Sequence, residues 1–271
     1  MTTMAMDPTN RVSFRLDGKT VFLSGAAGHL GRAMALAFAD AGAHVILNGR
    51  TRSALEELAA EIASSGGAAS VAAFDVTDRP SADAFLGGLP RLHVLINNAI
   101  SGLGGKDAGA EIDRFRGIVE SGLVASHANI VAALPGLSAA AAQAGQACVI
   151  NIASQWGHVS PDFRMYEDSG LAPTPPQYGA TKAGLMQLTR YLAVQLAPQR
   201  IRVNSLSPGI FPWPSIVDEQ PAFVARACDR SPMARLGEAH ELAGPAVFLA
   251  SDAASYVTGA DLRVDGGWTA R

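Results

Sequence analysis

Lys19-Thr20-Val21-Phe22-Leu23-Ser24-Gly25-Ala26-Ala27-Gly28-His29-Leu30-Gly31 decides the fold. An apolar run that stops at a glycine cluster reads as a buried parallel strand, and residues 32–41 behind it carry helical spacing. Strand, glycine-rich turn and helix in that order form a dinucleotide cradle. One glycine permits the tight turn, another lets backbone approach a pyrophosphate, and the helix N-terminus offers unpaired N–H donors. The stretch therefore predicts a nucleotide site with Ser24, Gly25, Gly28, His29, Leu30 and Gly31 as candidate contacts. A glycine loop without a ligand is the bland alternative.

Outward from this turn the pattern repeats. Short apolar runs at 44–48, 70–74, 92–96, 147–152, 202–206 and 261–264 alternate with amphipathic segments at 52–65, around 81–86, and at 111–134, 177–196 and 239–250. Such alternation predicts an α/β fold, a single-domain Rossmann-type doubly wound parallel sheet with helices on both faces. Residues 14–271 are assigned to this domain and residues 1–13 to a flexible N-terminal tail. The alanine-rich run 138–144 reads as a helix end or a loop.

The chain has 271 residues, 48% hydrophobic and 17% charged, enough for one substantial domain. A net charge of −3 calls for neither nucleic acid nor an acidic membrane surface as a partner. Two cysteines, Cys148 and Cys228, make a disulfide framework improbable and suit a reducing compartment. No apolar run reads as a membrane span, and residues 1–10 lack the charged start and apolar centre of a signal peptide, so a cytoplasmic protein is expected. The histidines show no ligand spacing, and no metal is assigned.

Tyr178-Gly179-Ala180-Thr181-Lys182 places a phenol and an ammonium one helical turn apart. A free phenol titrates near pH ~10, and a fixed positive charge beside it favours the phenolate. Alone this spacing is weak evidence. With Asn97-Asn98-Ala99, Asn151-Ile152-Ala153-Ser154, Ser207-Pro208-Gly209 and Asp265-Gly266-Gly267, in this order from about Leu16 onward, the chain resembles the short-chain dehydrogenase/reductase family. The resemblance implies Tyr178 as acid/base, Lys182 as ribose holder and tuner of the tyrosine, and Ser154 as the group holding the substrate oxygen. It implies further cofactor contacts at Asp75, Val76, Asn98, Ala99, Pro208, Gly209 and Phe211. The implied reaction is hydride transfer between a nicotinamide cofactor and a secondary alcohol or ketone, in a homotetramer or homodimer.

Cofactor choice is read at the end of the second strand, where a carboxylate would accept from a ribose 2′-hydroxyl and repel a 2′-phosphate. Asn48-Gly49-Arg50-Thr51-Arg52 has none. Asn48 and Arg50 are assigned to the cofactor, with Arg50 positioned for a phosphate, so NADP(H) is favoured and NAD(H) remains possible. The alternative is that both arginines only begin a solvated helix.

Three departures from the family pattern stand out. His29 occupies a position where glycine is usual, and either touches the pyrophosphate or is an ordinary helix N-terminal residue. Gly122 falls where the family's full tetrad has an asparagine that holds a relay water, so either Ser121 takes over or solvent reaches Lys182 by another path. Ser154 and Tyr178 lie 24 positions apart, about twice the usual spacing. The extra segment, 158–176, must form part of the active-site rim because both ends are tethered there. Its Arg164 is a candidate for a substrate carboxylate, and His158 or Asp162 for a hydroxyl. Trp213 opens a stiff apolar lid and is the third candidate substrate contact. Asn48-Gly49-Arg50 and 75–78 are similar to gluconate 5-dehydrogenases in the family, pointing to a sugar acid or polyol. A 3-oxoacyl-thioester or general ketone reductase is the competing enzyme reading, and a non-catalytic NADP-binding sensor or scaffold the reading from another class.

Overall fold

The computed structural model describes residues 12–101 and 111–270. The expected tail lies outside the described residues except for Val12 and Ser13. Seven parallel strands form one sheet in the order β3-β2-β1-β4-β5-β6-β7. In chain order they are β1 (Thr20–Ser24), β2 (His44–Gly49), β3 (Ala68–Ala73), β4 (Val94–Asn97), β5 (Ala147–Ile152), β6 (Ile201–Pro208) and β7 (Asp261–Val264).

Strand β1 shows why both faces are covered. Val21 and Leu23 point into a core shared with Met34 and Phe38 of α1 (His29–Asp40), Leu55 and Leu58 of α2 (Arg52–Ser64), and Leu242 and Leu249 of a later helix. Phe22, between them, points into the opposite core with Leu86 of α3 (Arg79–Gly87) and Ile130 and Leu137 of a long helix. Side chains alternate along a strand, so a continuous apolar run feeds two helical layers at once.

That long helix has three parts: α4 (Glu111–Val119), a π-helical turn (Glu120–Val124) and α5 (Ala125–Ala144). It continues ten residues past the expected end at 134, through the alanine-rich run. Among the described residues, 111–144 is the one stretch long and apolar enough to cross a bilayer by length and composition. Its apolar residues are instead used on the sheet, where Ile130, Ala133, Leu137, Ala140 and Ala141 are fully buried. The remaining helices are α6 (Pro176–Leu196), α7 (Pro214–Glu219), α8 (Pro221–Arg230) and α9 (Ala239–Ala250).

The strand order reverses between β1 and β4. At such a switch point the two connections leave toward opposite faces and a crevice opens beyond the strand ends, which places the site.

Candidate active site

The glycine-rich turn fills the crevice by close approach. Gly25 has φ +66°, and a Cβ there would meet Asn98 Nδ2 at 2.9 Å. A Cβ on Gly31 would stand 2.1 Å from the Gly25 carbonyl, so only glycine lets α1 pack onto the turn. Gly28 is the N-cap of α1, and no side chain caps it. The first-turn N–H groups are therefore left for a ligand. A cleft of about 590 Å³ runs from this turn past Asn48, Arg50, Asp75 and Val76 to Tyr178 and Lys182. The residues present thus suit an extended dinucleotide.

All the expected cofactor residues line this cleft except Ser24 and Gly209. Ser24 is buried, its hydroxyl donating to the Ile96 carbonyl and accepting from the backbone N–H groups of Asn98 and Ala99 at 2.9 and 3.0 Å. It clamps β1 to the end of β4 rather than meeting a ligand. Gly209 lines a neighbouring cavity instead. Asn48 directs its amide away from the cleft, to the carbonyls of Ala72 and Phe74. Arg50 is exposed and lies 4.0 Å from Asp75.

Tyr178 and Lys182 lie on the first two turns of α6, which Pro176 starts at its first position, where a missing N–H costs nothing. Ser154 ends the segment after β5, its rotamer fixed by the Trp156 N–H at 3.1 Å. Burial pushes the Tyr178 phenol above its ordinary value, and the neighbouring Ser154 hydroxyl draws it part of the way back. Lys182 is 3% exposed, its ammonium 5.5 Å from the Tyr178 ring centre and donating to the Ile152 carbonyl at 2.6 Å. Burial lowers its pKa to about 8. The ammonium is turned toward β5 and still stands beside the phenol ring, the arrangement expected of a lysine that acts on the tyrosine.

Beneath the site, side-chain hydrogen bonds form a chain across five elements. Arg79 donates to Asn129, Asn129 to Asn97, Asn97 to Asn151 and Asn151 to Thr189. This chain fixes β4 and β5 against α5 and α6, and hence Ser154 against Tyr178.

The profile of a family described as enoyl-(acyl carrier protein) reductase matches residues 25–269. The chain is 34% identical over 272 residues to trans-4-hydroxycyclohexanecarboxylate dehydrogenase of Sinomonas cyclohexanicum, covering 96% of each. It is 34% identical over 268 residues to galactitol 2-dehydrogenase (L-tagatose-forming) of Cereibacter sphaeroides, covering 96% of this chain and 98% of that one. The gluconate 5-dehydrogenase of Burkholderia cenocepacia, solved in complex with NADP and tartrate, superposes with a TM-score of 0.79 at 31% identity, over 95% of this chain and 98% of that one. The chain belongs to the short-chain dehydrogenase/reductase family. It is an NAD(P)-dependent oxidoreductase acting on CH–OH groups.

In this short-chain dehydrogenase/reductase a second cavity, about 910 Å³, adjoins the first, and Tyr178 lines both. Ser154 faces the second. None of the expected substrate contacts, Arg164, His158, Asp162 and Trp213, lines it. Arg164 folds back on Asp162, with Nε and Nη2 at 3.0 and 2.8 Å. His158 pairs with Asp261 at 2.7 Å, tying the insert to β7. Trp213, 54% exposed, stacks 4.8 Å from the His29 ring over the glycine-rich turn and lines the cofactor cleft. Through this ring contact His29 joins the turn to the lid.

The insert still supplies the wall, through Tyr166 and 172–176. It is stapled to α8 by Asp162 with Arg230, by Arg226 with Asp168 and the Glu167 carbonyl, and by Met165 packed on Phe223 and Ala227. Trp156, Gln177, Glu111 and Arg114 also line the cavity and were not singled out from sequence. Only adjacency to Ser154 and Tyr178 marks the first of these two; nothing local marks Glu111 or Arg114.

Gly122 sits in the π-helical turn, where a Cβ would meet the Thr181 methyl at 2.7 Å and Ile100 at 3.2 Å. Ser121 is committed, donating to the Gly117 carbonyl at 2.9 Å and accepting from the Ser101 N–H at 3.1 Å. The space an asparagine would use is filled by Thr181 and Ile100.

Proposed function

We propose that this enzyme interconverts a small secondary alcohol and its ketone with NADP(H), taking a polyol, a sugar acid or a cyclic alcohol. One arrangement carries the reading: Tyr178 stands in the wall between the two cavities, beside Lys182 and facing the same cavity as Ser154. Nicotinamide, when bound, supplies or takes the hydride. Ser154 holds the substrate oxygen, Tyr178 gives or takes its proton, and Lys182 holds the ribose and feeds the phenol. Arg50 would hold the 2′-phosphate in place of Asp75, its present neighbour.

The related galactitol, gluconate and hydroxycyclohexanecarboxylate dehydrogenases support the substrate range. The aromatic walls also suit the second reading, a 3-oxoacyl-thioester or general ketone reductase. Exposed Val131, Tyr191 and Val194 on α5 and α6 support a homo-oligomer, dimer or tetramer, and two unpaired cysteines suit the cytoplasm. Residues 14–271 are taken as one catalytic domain. Tyr178→Phe is expected to abolish turnover across a panel of polyols, sugar acids, ring alcohols and oxoacyl esters while NADPH still binds; near-normal rates would refute the assignment.

A further inference from the structure

Resting on the reading of the second cavity as the substrate pocket, we propose that Arg114 and Gln177 select the substrate: a six-membered-ring secondary alcohol bearing a single carboxylate.

Gln177 precedes Tyr178 on the first turn of α6, is 5% exposed and lines the cavity. Its side-chain amide has no hydrogen-bond partner among the described residues. An unpartnered amide in a nearly buried residue on the cavity wall points to a polar ligand group, which would replace the water it meets there. It can serve a second hydroxyl, or the near carboxylate oxygen, of a substrate whose reacting oxygen lies on Ser154 and Tyr178.

Arg114 stands on the rim of the same cavity and makes no ion pair among the described residues. The nearby cations of the insert and of α8 are engaged, Arg164 and Arg230 with Asp162 and Arg226 with Asp168. Carboxylate recognition, expected of Arg164, therefore passes to Arg114. Glu111, one turn earlier on α4, faces the same cavity and would repel a second carboxylate.

The walls fix the rest of the substrate. Trp156, Tyr166, Phe223, Ile210, Pro173 and Pro176 are apolar or aromatic. The Tyr166 hydroxyl is already bonded to Thr174, and its ring packs 5.3 Å from Phe223. An open-chain polyol would press unpaired hydroxyls against these walls, whereas a ring presents a C–H face to them.

The test compares 4-hydroxycyclohexanecarboxylate with its methyl ester, using NADP+ and the full chain. The wild type is expected to favour the acid in kcat/KM. Arg114→Ala should raise KM for the acid about 10- to 100-fold, the effect of a charge-assisted hydrogen bond, and leave the ester unchanged. Arg114→Lys should restore part of the preference. Gln177→Leu should weaken binding of the acid to the NADPH-loaded Tyr178→Phe variant, read by tryptophan fluorescence. Equal turnover of acid and ester, turnover confined to open-chain alcohols, or an Arg114→Ala enzyme with unchanged KM would overturn the inference while leaving the dehydrogenase reading intact. Full activity in Tyr178→Phe would overturn that reading instead.

Discussion

The Lys182 ammonium donates to the Ile152 carbonyl at 2.6 Å, joining α6 to the end of β5 inside the protein. A lysine whose pKa falls from 10.5 to about 8 through burial is destabilising by about 3 kcal/mol at neutral pH. Lys182→Met removes that charge and gives up one hydrogen bond, worth about 1 kcal/mol. The variant is expected to be inactive yet more stable, by about 2 kcal/mol in denaturant unfolding. The sign with pH follows. Between pH 8 and 10.5 the unfolded wild type holds more protons than the folded one, so its stability rises with pH across that window. The gap between wild type and Lys182→Met should therefore narrow from pH 7 to 10.

The phenol of Tyr178 is raised by burial, so little phenolate exists at neutral pH. Alcohol oxidation needs the deprotonated form, and its kcat/KM is expected to climb close to tenfold per pH unit between about pH 7 and 9. Carbonyl reduction uses the protonated phenol and should not share that rise, falling instead as Lys182 loses its proton above about pH 8. Initial rates in both directions test this; a flat oxidation profile would contradict it.

Among the described residues Arg50 has one ion-pair partner, Asp75 at 4.0 Å. Arg50→Ala should weaken NADPH binding about 10- to 100-fold, the loss of a charge-assisted bond, and leave NADH almost unchanged. Isothermal titration with both cofactors measures the ratio.

Asn129 is the link between Arg79 and Asn97 in the buried chain that runs to Thr189. Asn129→Leu leaves the Asn97 side-chain carbonyl without its donor and takes one acceptor from Arg79, which keeps Asp83 and the Val76 carbonyl, and should destabilise by about 1–3 kcal/mol. Thermal unfolding reads the loss, and kcat should fall because Ser154 and Tyr178 are no longer held in register.

Gly122→Asn does not restore a relay. Its Cβ would lie 2.7 Å from the Thr181 methyl, so overpacking should lower stability by about 1–3 kcal/mol without raising kcat. Thr181→Ala in the same chain should recover the stability.

The strand, glycine turn and helix of 19–41 were legible because each follows from local rules: an apolar run, residues free of a Cβ, a helical period. Tyr178 and Lys182 were legible because four residues make one turn in any helix. Sequence spacing also required that an insert between Ser154 and Tyr178 border the site. The direction of its side chains was not local information. Arg164 lies two residues from Asp162, and their pairing withdraws from the pocket the cation that composition nominated. His158 was likewise captured by Asp261, 103 positions along the chain. Arg114 and Gln177 reach one cavity only because α4 packs on α6, and Ser24 turns inward only because β4 lies beside β1. The sequence alone determined the fold and the catalytic turn, since both rest on interactions within a few residues. Tertiary structure decided which polar groups remain free to meet a substrate, since each charge takes the nearest partner in space, however far off in sequence.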